Sequence, residues 1–133
     1  DDVESRGLGD VYKRQGLYSM PFIHAMVSTD ITPQQETQLK DRLYQAIPLL
    51  PGKSGAYLMV RITPGCRLYF QGTNDAPTAF TEVKLFGKST PQAYQALTAE
   101  ICAIMQDVLG ISPGRTYVQY EETPYWGHNG RNF

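Results

Sequence analysis

From Pro21 to Val27 the run PFIHAMV puts apolar residues on both faces of an extended chain, with His24 the one polar interruption. That is the pattern of a buried strand. Thr32-Pro33-Gln34-Gln35 then predicts a helix start: Thr32 caps, Pro33 takes the first helical position where no N–H is needed, and Gln35 completes a capping box. The apolar positions Leu39, Leu43, Ala46, Ile47 and Leu50 follow at helical spacing, until Pro48 and Pro51-Gly52 stop the helix and turn the chain. Ala56 to Thr63 (AYLMVRIT) predicts a second strand, and Pro64-Gly65 a turn into Arg67 to Gln71, expected as its hairpin partner. After a loop, Ala79 to Phe86 alternates, with Ala79, Thr81, Val83 and Leu85 on one face and Phe80, Glu82, Lys84 and Phe86 on the other. Gly87 breaks that strand, and Thr90-Pro91-Gln92 opens a second helix with the stripe Tyr94, Leu97, Ile101, Ile104, Met105 and Val108, closed by Gly110. Thr116 to Tyr120 (TYVQY) is the last long strand, ahead of an aromatic and Gly-rich tail to Phe133.

The order strand, Thr-Pro-Gln, helix, Pro-Gly, Tyr-led strand occurs twice, with Thr32 matching Thr90 and Tyr57 matching Tyr117. The chain therefore reads as an α+β domain of two βαβ repeats. Right-handed crossovers place both helices on one face of a four-stranded mixed sheet. The strands keep apolar residues on both faces, so the second face needs another cover. Self-association is the expected one, with a monomer bearing a polar outer face as the alternative.

Composition narrows the function classes. The 133 residues suffice for one domain, and 41% apolar with 19% charged residues is ordinary for a folding globular chain. Twelve basic against thirteen acidic residues, with no basic cluster, argue against a nucleic-acid partner, which needs a concentrated positive field. Apolar runs are too short for a membrane helix of about 20 residues. Cys66 and Cys102 have neither CxxC spacing nor an adjacent His, so both read as free thiols without a metal. No segment resembles a signal peptide, and the cytoplasm is the default expectation.

Residues 1–19 show no period of either kind and read as a leader foreign to the fold, with the domain spanning residues 20–133. The stretch GLGDVYKRQ from Gly7 resembles translated linker sequence, and Met20 then reads as the initiator.

Three segments carry a likeness across residues 20–133: MPFI at Met20, KSGAYLMVRITPG from Lys53 and ISPGRTYVQY from Ile111, joined by a terminal WGxNGxxF pattern. Together they resemble the macrophage migration inhibitory factor family and its bacterial members. The resemblance implies a homotrimer with a pocket at each subunit boundary, loss of the initiator Met, and keto-enol tautomerisation of phenylpyruvate-like α-keto acids without metal or organic cofactor. The base it implies is the amino-terminal nitrogen of Pro21. An exposed α-amino group has a pKa of about 7.7 to 8.0, and desolvation beside a cation lowers it toward neutrality. Acylated, that nitrogen has no basic lone pair.

By the same resemblance Lys53 holds the substrate carboxylate and depresses the Pro21 pKa. Tyr117 comes from the adjoining subunit, Gln119 stands where mammalian members carry asparagine, and Phe86 and Phe22 line the pocket. His128 replaces the tryptophan of many relatives at the rim, and Trp126 and Phe133 are expected to pack the tail on a neighbour. His24 is expected to be a satisfied core or interface histidine. The mammalian CxxC is absent, its place taken by Thr78-Ala79-Phe80-Thr81, so thiol redox chemistry by that route is unsupported. Two alternatives stay open: a protein-binding module with a vestigial pocket, and hydratase or dehalogenase chemistry, for which no activating residue is assigned.

Overall fold

The structure is a computed structural model and describes residues 20–133; the expected leader lies outside the described residues. Strand β1 (Phe22–Val27), helix α1 (Pro33–Ala46) and strand β2 (Met59–Thr63) form the first repeat. Strand β3 (Ala79–Phe86), helix α2 (Pro91–Leu109) and strand β4 (Thr116–Thr123) form the second. The sheet order is β2-β1-β3-β4. Within each repeat the strands are parallel, and the repeats meet through the antiparallel pair β1 and β3. Two short strands, β5 (Gly127–His128) and β6 (Arg131–Asn132), make a tail hairpin.

The capping residues act as their chemistry predicts. Thr32 Oγ1 accepts from the Gln35 N–H at 3.1 Å while the Gln35 side chain accepts from the Thr32 N–H at 2.9 Å. Thr90 Oγ1 accepts from the Ala93 N–H at 3.1 Å, and the left-handed Gly110 (φ 68°) ends α2. Replacing Thr32 by Ala is expected to lower stability by about 1 kcal/mol, because the Gln35 N–H loses its acceptor. Urea denaturation would read that loss as a lower midpoint at unchanged slope.

Both helices pack on one sheet face. Ile23, Ala25 and Val27 of β1 and Val83 and Leu85 of β3 meet Leu39, Leu43, Leu97, Ile101, Ile104 and Met105 there, all buried. Arg42 of α1 spans to α2, bonding Asp107 at 2.9 Å and Glu100 at 3.4 Å.

The opposite face is mixed rather than apolar. The register makes three cross-strand rows on it: Thr63, Met26, Phe80, Tyr117; Arg61, His24, Glu82, Gln119; and Met59, Phe22, Lys84, Glu121. His24 is satisfied, its Nδ1 3.2 Å from the Glu82 carboxylate and its Nε2 2.8 Å from Thr63 Oγ1. No helix of the described residues is long and apolar enough to cross a membrane.

Two expected elements are corrected. Residues Ala56 and Tyr57 belong to a single 3₁₀ turn (Gly55–Tyr57), and β2 begins only at Met59. Arg67 to Gln71 is not the hairpin partner of β2. The Gly65 and Cys66 N–H groups bond Thr29 and Val27 carbonyls at the end of β1, which steers the chain across the sheet end instead of back along β2. Phe70 is left with one bridge, to Thr73.

Candidate active site

Pro21 is buried and immediately precedes β1. Its carbonyl accepts from the Met59 N–H at 3.2 Å, and the pairing of Phe22 with Lys84 sets Pro21 beside Leu85, one residue from Phe86. In the full chain its nitrogen is the amide that follows Met20, which is 4% exposed and has a positive φ of 32°. That conformation costs a non-glycine residue about 1 kcal/mol.

Lys53 reaches the same end of the sheet from the turn after α1. The Pro51-Gly52 break, closed by a 3.0 Å bond from the Lys53 N–H to the Leu50 carbonyl, directs it inward. Its side chain is enclosed, the residue only 8% exposed, and the ammonium donates to the Phe86 carbonyl at 3.3 Å. Burial holds its pKa below the usual lysine value, and the Glu122 carboxylate opposes that fall. A desolvated cation with one neutral partner retains donors for an anion. Among the described residues no group of three or more His, Cys, Asp or Glu side chains is placed to hold a metal.

Pro21, Phe22, Lys53 and Phe86 are thus brought to one end of the sheet, whereas Tyr117 and Gln119 are not. Tyr117 pairs with Phe80, six residues from the Phe86–Thr123 pair, a separation of about 20 Å at strand rise. It is 58% exposed on the helix-free face, its ring 5.5 Å from Phe70 and 6.2 Å from Phe80. Gln119 is exposed on the same face. Within one copy of the chain Tyr117 therefore lies at the opposite end of the sheet from Lys53, and Gln119 midway along it.

Phe133 folds onto its own chain, with its ring 6.0 Å from Phe86 and stacked 6.3 Å from His128, which meets Tyr57 edge-on at 5.6 Å. The Phe133 N–H bonds the Trp126 carbonyl at 3.1 Å, tying the chain end across the hairpin. This run of rings leads outward from the Phe86 end of the sheet, and a hollow of about 400 Å³ lined by residues 127–132 opens on it. Tyr57 and Phe133 were not assigned to the site from sequence; the signal was present in the aromatic content of the tail, but not its direction. A groove of about 430 Å³ between α1 and β2, lined by Glu36, Thr37, Lys40, Val60 and Ile62, holds no comparable cluster.

Cys66 and Cys102 are both free thiols. Burial raises the Cys102 pKa, which leaves that thiol a poor nucleophile.

The family model described as macrophage migration inhibitory factor (MIF) matches residues 20–133. Mouse macrophage migration inhibitory factor is 31% identical over 93 residues, covering 68% of this chain and 80% of its own. The crystal structure of Leishmania major MIF2 superposes with a TM-score of 0.80 at 30% identity, over 86% of this chain and 97% of that one. A homologue from Prochlorococcus marinus gives 0.75 at 28% identity, over 84% and 98%. A match that takes in every described element, including the tail, leaves one assignment: the chain belongs to the macrophage migration inhibitory factor family, within the tautomerase superfamily.

Proposed function

We propose that the protein is a cofactor-independent keto-enol tautomerase of phenylpyruvate-like α-keto acids, with the Pro21 nitrogen as general base once Met20 and everything before it are removed. The observation that carries this reading is the enclosed Lys53 ammonium, anchored on the Phe86 carbonyl at the sheet end where Pro21 sits. The substrate carboxylate binds Lys53. The Pro21 nitrogen takes a proton from carbon 3 of the keto acid as the C–H electrons form the carbon–carbon double bond and the carbonyl pair moves onto oxygen; the protonated Pro21 then delivers that proton to the oxygen to give the enol, and ketonisation runs the same two transfers in reverse. The Lys53 charge also disfavours protonation of Pro21, which keeps the base unprotonated near neutral pH. Phe22 and Phe86 supply apolar wall for the aryl group.

Tyr117 and Gln119 complete the pocket from the neighbouring subunit of a homotrimer. Their distance from Lys53 within one chain and their exposure on the helix-free face support that arrangement.

Mixing tests the shared pocket directly. Lys53→Ala and Tyr117→Ala proteins are each expected to be nearly inactive on phenylpyruvate, but unfolding and refolding them together at equal amounts should restore activity. Random assembly leaves about one pocket in four with both groups intact, so about a quarter of the parent rate returns. No recovery, with trimers present on sizing, would sink the shared pocket.

A further inference from the structure

Beside Phe86, whose carbonyl accepts from the Lys53 ammonium, the sheet end carries a group of polar side chains that the proposed chemistry does not use. Glu122 sits on β4 beside Leu85, at the strand end where the Gly87 N–H bonds the Thr123 carbonyl at 2.9 Å. The Tyr94 hydroxyl of α2 donates to Glu122 Oε2 at 2.5 Å and accepts from the Ser89 N–H at 3.0 Å. The Tyr94 ring is held in turn against Tyr120, with centroids 4.3 Å apart, and the Tyr120 hydroxyl bonds the Tyr94 carbonyl at 3.0 Å and Thr98 at 2.8 Å. A solvent-side carboxylate is thereby fixed by a phenol that is fixed at both ends.

We propose that Glu122, clamped by Tyr94, is a positioning residue whose carboxylate serves as the built-in counter-charge of Lys53 and keeps its ammonium ready for an anionic ligand. The inference deepens the tautomerase reading and rests on it for the identity of that ligand. An ammonium that is almost enclosed and faces a single carbonyl has little to oppose its neutralisation. A carboxylate near it but outside hydrogen-bond range favours the charged form without occupying the donors that the substrate needs. A direct ion pair would block those donors, and Tyr94 prevents it by holding Glu122 back.

The clamp does not itself titrate in the working range. Burial first, and the Glu122 bond second, push the Tyr94 pKa up to about 12, so the hydroxyl remains a donor. Burial also raises Tyr120, which stays neutral behind it. The ionisable groups on the elements that meet at the Lys53 end of the sheet are Glu122 from β4, Tyr94 from α2 with Tyr120 behind it and, in protein beginning at Pro21, the amine of Pro21 ahead of β1, which is the same in parent and variants. Glu121 and Lys84 project from the other face of the sheet, and Lys88 is exposed in the β3–α2 turn.

The test is an NMR titration of the Lys53 side chain in protein beginning at Pro21, with phenylacetate as a non-reacting anion probe. In Glu122→Gln the Lys53 midpoint should fall by about one pH unit. The alkaline limb of kcat/KM for phenylpyruvate should fall with it, carried by a rise in KM at nearly constant kcat. Glu122→Asp, which restores the charge, should recover most of the shift, and Tyr94→Phe, which frees the carboxylate to pair with Lys53, should raise the midpoint while weakening phenylacetate binding. An unmoved midpoint in Glu122→Gln, with the fold intact by thermal melting, overturns the inference. A lowered midpoint with weaker phenylacetate binding supports it even if the parent protein fails to turn over phenylpyruvate; that result would remove the tautomerase reading alone.

Discussion

Protein that begins at Pro21 is expected to tautomerise phenylpyruvate at least about 10²-fold faster than the same chain still carrying Asp1 to Met20, because general-base catalysis is worth roughly 10²- to 10⁴-fold and an amide nitrogen supplies none. The two proteins share every residue of the sheet and of the Lys53 pocket, so the comparison isolates one lone pair. The sheet is retained, since the β1 pairing starts at Phe22 and the Pro21 carbonyl keeps its bond from the Met59 N–H, while loss of the buried Met20 side chain lowers stability. Intact mass fixes which residue is first in each sample, and enol consumption is followed by absorbance. Equal rates in the two samples would remove Pro21 as base. Its secondary amine, already rigid, is also what Pro21→Gly would replace by a more mobile primary amine, for which an intermediate loss is expected.

Lys53→Met should cost about 10²- to 10³-fold in kcat/KM, in the range found when a preorganised donor to developing charge is removed. The methionine keeps most of the volume of the lysine stem, so the enclosed site does not collapse and the loss reports charge rather than packing. Two effects add. The substrate carboxylate loses its cation, which raises KM, and Pro21 loses the charge that disfavours its protonation, which moves the acid limb of the rate profile to higher pH. In the parent protein the alkaline limb follows Lys53 itself. Its folded pKa lies below that of an exposed lysine, so the ammonium is lost, and anion binding with it, as pH rises through that lowered value. A Lys53→Met protein with unchanged KM and an unmoved acid limb would show that this ammonium is only structural.

The elements themselves were legible because their signals are local. Thr32 with Gln35, Thr90, and the left-handed Gly110 bracket the helices, and the alternation from Ala79 to Phe86 coincides with β3 residue for residue. The failures came from partners far apart in the chain. Arg67 to Gln71 has the composition of a strand, but the Gly65 and Cys66 N–H groups are drawn to carbonyls at the end of β1, a competition between distant partners that no window of sequence records. The contact of the Phe133 ring with Phe86 likewise joins positions far apart in the chain.

By itself the sequence determined the two βαβ repeats, the helix-covered face, the family likeness and the residue types of the site, since capping, periodicity and motif spacing are read from near neighbours along the chain. Only the tertiary structure decided that the Lys53 ammonium meets the Phe86 carbonyl, that the Tyr94 hydroxyl bonds Glu122, and that Tyr117 lies at the far end of the sheet. Those placements follow from the register of β1 with β2 and β3 and of β3 with β4. Register is chosen by which side chains fill the common core, and a slip of one residue would turn each of these groups to the other face.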